Sequence, residues 1–147
     1  MKKAILLMAV AVISMSFINW HYNMEEAKAT AKKDHKHILL NFSGSDWCGP
    51  CIRLHKEILG SDAFQKFANA NLVLVNADFP RLKKNQLPKD QQKINDALAD
   101  QYNSKGSFPL TLLLNESGKI VKQWEGLPSA TPEEFAEEVQ FAIDQDK

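Results

Sequence analysis

The sequence predicts an α/β domain with a central mixed sheet and helices on both faces. Three observations carry that prediction. Short apolar runs alternate with longer segments of helical spacing, the pattern of strands joined by crossover helices. The last two apolar runs are instead joined by a tight turn, so they form an antiparallel hairpin. The length of 147 residues fits one domain and is enough to bury a core without cross-links.

The elements follow in order. Met1-Lys2-Lys3 precedes an apolar run from Ala4 to Ile18. A basic start ahead of an apolar stretch too short to span a bilayer is the pattern of a secretory signal peptide. The small residues of Ser14-Met15-Ser16 place cleavage after Ser16, which leaves 17–147 as one domain. An uncleaved N-terminal anchor is the alternative. Met24 to Lys33 is rich in Ala, Glu and Lys and reads as a helix; His35 and His37 follow in a solvated loop. Ile38 to Phe42 is a buried strand, Ser43-Gly44-Ser45-Asp46 a turn, and a helix runs from about Cys48 to Leu59 with Pro50 in its first turn, where the missing N–H costs nothing. Gly60 stops it, and Ser61 caps a short helix to about Ala70.

Leu72 to Asp78 is a second buried strand. Pro80 to Pro88 is a basic loop carrying Arg81, Lys83 and Lys84. Lys89 to about Tyr102 has helical spacing through Ile94 and Leu98, and Gly106-Ser107-Phe108-Pro109 breaks the chain. Leu110–Leu114 and Ile120–Trp124 form the hairpin, closed by Gly126 and Pro128. Thr131-Pro132-Glu133-Glu134 is a capping box that opens a last helix to about Asp144, apolar through Phe135, Val139, Ala142 and Ile143. The order is α, β, α, α, β, α, β, β, α. No repeat or linker marks a second domain.

Apolar residues make up 44% and charged residues 24%, with 18 basic against 18 acidic side chains. Those values exclude a disordered or fibrous chain. The balanced charge, tipped slightly acidic once Lys2 and Lys3 leave with the signal, argues against a nucleic-acid partner. Two cysteines, Cys48 and Cys51, cannot build a disulfide scaffold. They are one metal half-site, one redox pair or two inert thiols. Zinc needs two further ligands; His55 is near, but a fourth would have to come from His21, His35 or His37 far upstream. Inert core thiols need neither Gly49-Pro50 between them nor a turn ahead of them.

Position favours the redox pair. Trp47-Cys48-Gly49-Pro50-Cys51 lies where a strand hands over to a helix. There the free N–H groups and the helix dipole stabilise an anion, so a thiolate at Cys48 is favoured and reactive. Cys51 lies one turn deeper on the same face, close enough to close a disulfide ring and release a mixed disulfide. In an exported, oxidising compartment such a pair either closes or is kept reduced by a donor.

This pentapeptide after a strand, with Phe108-Pro109 before a later strand, resembles the thioredoxin superfamily, and the order of elements follows it from the Met24 helix to the last helix. Trp20, the Ser43–Asp46 stretch and the N-terminal signal resemble exported thioredoxin-like proteins of Gram-negative bacteria. The resemblance implies Cys48 as nucleophile and Cys51 as resolving cysteine. Trp47 matches the residue shielding the site, with Gly49 and Pro50 beside it on the substrate surface. Pro109 matches the cis-proline, Phe108 offers its backbone to an extended substrate, and Gly126 completes the groove. Cys48, the 81–88 loop, Pro109 and Gly126 converge on one rim, the edge where sites form in open α/β sheets.

The implied function is thiol–disulfide exchange, in the reducing direction, on disulfides of exported proteins in the periplasm. The Cys48–Cys51 disulfide is the redox group, with no bound cofactor and no metal. A membrane-embedded donor re-reduces the chain, which is read as a monomer. The alternatives are a thiol oxidase or isomerase, and a binding module that uses the groove without redox chemistry. Two positions depart from the family. Asn41 stands where a buried proton-accepting Asp is usual, and Leu74 where its Lys partner is usual, so both ions are gone together. Water can serve as the proton acceptor for Cys51; His55, four residues beyond Cys51 and seven beyond Cys48, shares their helix face and is a second candidate to tune or deprotonate a thiol, with a packing histidine as the alternative.

Overall fold

A computed structural model describes residues 19–146. The predicted signal and its cleavage site at Ser16 lie outside the described residues. Within them the chain forms α1 (Met24–Asp34), β1 (His37–Ser43), α2 (Gly49–Arg53), α3 (Asp62–Asn71), β2 (Leu72–Asp78), α4 (Lys89–Tyr102), β3 (Leu110–Leu114), β4 (Ile120–Glu125) and α5 (Pro132–Gln145). The sheet order is β2-β1-β3-β4. β1 and β2 are parallel, and the β3–β4 hairpin joins β1 antiparallel. The α/β class with a mixed sheet is therefore the fold observed.

The alternation of apolar side chains along the strands builds two cores. Leu39 and Leu74 face one, with Leu54, Phe64, Phe135 and Val139 from the helices on that side. Ile38, Leu40, Phe42, Val73 and Val75 face the other, with Met24, Ala27 and Leu98 of α1 and α4. A strand buried on both faces has no polar positions to spare, which is why β1 and β2 read as continuous apolar runs. Asn41, fully buried on the face of Leu39, and Ser43 at the strand's end are the buried polar residues of β1.

Two features depart from the expectations. The helix after the cysteines does not continue as a plain α-helix: Leu54–Leu59 is π-helical, with the Gly60 amide donating to the His55 carbonyl at 2.8 Å. The wider i→i+5 turn brings Leu59 back over Leu54 while Ile58 stays inward, so all three are buried. An α-helical register carries Leu59 off that face. His37 is not a loop residue; it opens β1 and contacts the Asp146 carboxylate at 3.0 Å. The segment before α1 also contributes, because His21 bridges Val75 and exchanges backbone hydrogen bonds with Leu74 and Asn76, covering the β2 edge.

Candidate active site at the strand-to-helix junction

β1 ends at Ser43, and the Gly44 carbonyl accepts the amides of Trp47 (3.3 Å) and Cys48 (2.9 Å). This turn sets Cys48 as the N-cap of α2, and its Sγ accepts the Cys51 amide at 3.3 Å. Pro50 occupies the first turn, as the missing donor requires. Cys48 and Cys51 are joined as a disulfide, their Cα atoms 5.2 Å apart. Cys48 is 6% exposed and Cys51 1%, so the first sulfur is the more accessible, though neither protrudes. Gly49 and Pro50 are exposed beside them. No cluster of metal-ligating side chains occurs among the described residues.

The aromatic residue before the cysteines is fixed on every side. Trp47 Nε1 donates to the Phe79 carbonyl at 2.7 Å, and its ring meets the edge of Phe108 at 5.4 Å. The Arg81 guanidinium lies 3.6 Å from the ring centroid. Phe108 also packs on Phe79. The Phe108–Pro109 peptide is cis. Gly126, at φ +78°, donates its amide to the Pro109 carbonyl at 2.8 Å. Trp47, Phe108, Pro109 and Gly126 thus form one connected wall beside Cys48.

The 80–88 loop belongs to this wall. Asp46 accepts the backbone amides of Arg81 and Leu82 and the Asn85 side-chain amide, at 2.9, 2.9 and 3.0 Å. The Arg81 amide above all, helped by those of Asn85 and Leu82, holds the Asp46 carboxyl below the usual carboxylate range against the opposing effect of desolvation. The basic loop is therefore pinned by its backbone while its side chains stay exposed, and Lys83 and Lys84 lie in a short 3-10 turn on the rim.

Beneath Cys51 the departures from the family pattern come together. The Asn41 amide donates to Thr111 Oγ1 at 3.0 Å and faces the Leu110 carbonyl at 3.5 Å. Its Oδ1 lies 2.8 Å from His55 Nε2. The Trp20 ring covers the imidazole at 5.3 Å between centroids. Burial pushes the His55 pKa down, partly opposed by the negative charge of Asp78. Leu74 is fully buried in the apolar core, with no ion opposite it to neutralise. Asn41 pairs in register with Asn76 of β2 and Thr111 of β3. Asn76, Thr111 and Trp20 were not among the residues that the sequence singles out for this site. Register alone brings the first two here, and an isolated Asn or Thr in an apolar strand is the signal that could have found them.

Residues 24–143 match the family model of the thioredoxin-like domain. The chain is 39% identical over 107 residues to a disulfide bond reductase, DsbH, of Chlamydia pneumoniae, covering 73% of this chain and 62% of that protein. It is 31% identical over 105 residues to a thioredoxin-related protein, DsbJ, of the same organism, covering 71% of this chain and 30% of that one. It therefore spans less than two thirds of the length of these curated relatives. Among solved structures, a DsbH oxidoreductase superposes with a TM-score of 0.79 at 32% identity, over 97% of this chain and 95% of the other. A thioredoxin from Thermus thermophilus superposes with a TM-score of 0.62 at 18% identity, over 86% and 88%, a likeness of fold. By its family-model match, its relatives and the disulfide at its strand-to-helix junction, this chain belongs to the thioredoxin-like domain family.

Proposed function

We propose that the chain is a thiol–disulfide oxidoreductase that reduces disulfides of exported proteins. The observation that carries this reading is the Cys48–Cys51 disulfide seated at the start of a helix, beside a wall of Trp47, Phe108 and Pro109. In the reduced protein the Cys51 amide and the helix dipole favour a thiolate at Cys48. That thiolate attacks one sulfur of a substrate disulfide. A mixed disulfide forms, and the other substrate sulfur leaves with the bonding electron pair. Cys51 then attacks Cys48 Sγ, the substrate's second thiolate leaves, and the protein carries the Cys48–Cys51 bond. Phe108 offers backbone groups to an extended substrate, and Gly49, Pro50 and Gly126 border its path.

The reducing direction rests on Gly49-Pro50 between the cysteines and on the reductase name of the 39% identical relative. Residues 1–16 act as the export signal, and the periplasm is the compartment. No helix among the described residues is long and apolar enough to cross a membrane. A membrane-embedded donor supplies electrons, and no further cofactor is needed.

Equilibration with glutathione tests the direction. A potential near the ~−270 mV of thioredoxin supports a reductase; one near the ~−120 mV of a strong oxidant makes the chain a thiol oxidase. Cys51→Ser is expected to trap mixed disulfides through Cys48. A Cys48→Ser variant that keeps full biological activity would instead identify a binding module. N-terminal sequencing of the exported protein is expected to begin at Phe17.

A further inference from the structure

The resolving cysteine must lose a proton before it attacks, and the strand beneath it carries an amide where a carboxylate is usual. Asn41 has no basic oxygen to offer. A neighbouring imidazole does. The geometry points to His55 as the proton acceptor for Cys51, acting across a cavity that both residues line and held in the required tautomer by Asn41. The inference rests on the thiol–disulfide reading above and adds the route of the proton.

Three observations support it. The first is the cavity, about 400 Å³ in volume, whose lining includes Cys51, His55, Ser43, Ser45 and Asn76. It is roomy enough for water, and Ser43, Ser45 and Asn76 give it polar partners within a mostly apolar lining. The Asn76 side chain is on the lining as well, its Oδ1 buried with no hydrogen-bond partner among the described residues.

The second is the hydrogen-bond chain. The Leu110 carbonyl can only accept, so the Asn41 –NH₂ faces it and Thr111, and the Asn41 Oδ1 faces His55. That oxygen requires a proton on His55 Nε2. In the neutral ring the lone pair is then on Nδ1. Among the described residues no hydrogen-bond partner occupies Nδ1.

The third is charge. Burial under Trp20 favours the neutral imidazole, the form that accepts. The charged and titrating groups around it are Asp78 at the end of β2, which draws the pKa back upward, Lys56 on the cavity lining and the two cysteines. A protonated His55 is thus a transient species, partly stabilised by Asp78 and by the thiolate it creates.

The step balances. With the mixed disulfide on Cys48, the Cys51 thiol proton passes to His55 Nδ1, directly or through cavity water. The Cys51 thiolate forms a bond to Cys48 Sγ, and the bond from Cys48 to the substrate sulfur breaks. The substrate sulfur leaves with the electron pair and takes a proton from water. The imidazolium returns its proton to solvent.

The test uses the full chain, reduced and mixed with one equivalent of 5,5′-dithiobis(2-nitrobenzoate). The first release of thionitrobenzoate reports attack by Cys48; the second reports resolution by Cys51. His55→Ala and His55→Gln are expected to leave the first phase within about twofold and to slow the second about tenfold or more at pH 7. Added imidazole should restore the second phase of His55→Ala. The wild-type second phase should fall at low pH with the His55 titration followed by NMR, and both variants should lose that limb. Second-phase rates and pH profiles that superimpose across the three proteins overturn the proposal, as does a slowed phase that imidazole leaves unmoved. Absence of any second release from the wild type would instead refute the exchange function itself. Should His55→Ala fail to fold, the Gln variant and the wild-type NMR titration decide; a Nδ1–H tautomer of the neutral ring also overturns the assignment.

Discussion

Gly44 is predicted to be occupied by glycine because Trp47 fills its side-chain space. A Cβ built there lies 2.3 Å from Trp47 Cε2 and 2.6 Å from both Cζ2 and Nε1. Carbon atoms in contact prefer ~3.5–4.0 Å, so the indole must retreat by more than about 1 Å. Its surroundings resist that. Retreat weakens the hydrogen bond to Phe79, worth about 1 kcal/mol, and the edge contact with Phe108, about 1 kcal/mol. It also weakens the Arg81 stack, about 0.5 kcal/mol at an exposed site. Alanine returns about 0.4–1 kcal/mol by restricting the unfolded chain. The net loss for Gly44→Ala is about 1.5–2 kcal/mol. With a urea m-value of about 2 kcal/mol/M, the unfolding midpoint drops by about 0.8–1 M. The assay is urea unfolding of the oxidised protein in wild-type and Trp47→Ala backgrounds. In the second background the indole is gone, and Gly44→Ala should be neutral or slightly stabilising. An equal loss in both backgrounds refutes the reasoning and places the cost in the backbone turn.

Further expectations follow from the same geometry. Asp46→Asn should release the 81–85 loop, seen as faster amide exchange at Arg81 and Leu82; because the Asp46 pKa is depressed in the folded protein, its contribution is present above the ordinary carboxylate value and is lost as pH falls through the lowered one. The His55 pKa is lowered too and acts with the same sign at higher pH: the unfolded chain takes up a proton that the buried ring resists, so stability should decline as pH drops below about 6.5, and His55→Gln should flatten that slope in thermal scans from pH 5 to 8. Thr131→Ala removes the capping box of α5 and should cost about 1 kcal/mol by urea titration. Reversing the charges of Lys83 and Lys84 should slow reduction of acidic partner proteins at low salt and converge with wild type at high salt.

β1, β2 and β3 were legible because they are buried on both faces and so carry nearly unbroken apolar runs; β4, half exposed at the sheet edge, was legible from the tight turn that joins it to β3. Leu72–Asp78 and Leu110–Leu114 are bounded by the turn residues that end them. The cysteine pair was legible for a related reason: a turn, an aromatic residue and a first-turn proline specify a strand-to-helix junction locally. The π-helical stretch was not, because i→i+4 and i→i+5 bonding differ little in local preference. The burial of Leu54, Ile58 and Leu59 against α3 and α5 decides between them. The Asp46 contacts were equally hidden, since they join residues 35 or more apart in the chain.

The polar site under Cys51 shows what a substitution at one buried position requires of its neighbours. A carboxylate at position 41 would sit at zero exposure and would need a counter-ion or a raised pKa to persist. The strand beside it offers Leu74 within the apolar core and Asn76 directly opposite, neither of which can supply charge. An amide at 41 meets that environment without an ion, provided that its oxygen and its –NH₂ both find partners. Thr111 satisfies the donor and His55 the acceptor. The amide therefore solves the burial problem but cannot take up a proton, so the proposed acceptor is a group that is near Cys51 and lines the same cavity. His55 meets both conditions, because the helix that begins at the cysteines also carries the imidazole. The same residue spacing that suggested a shared helix face thus places His55 and Cys51 on one cavity, which is what the proposed proton route requires.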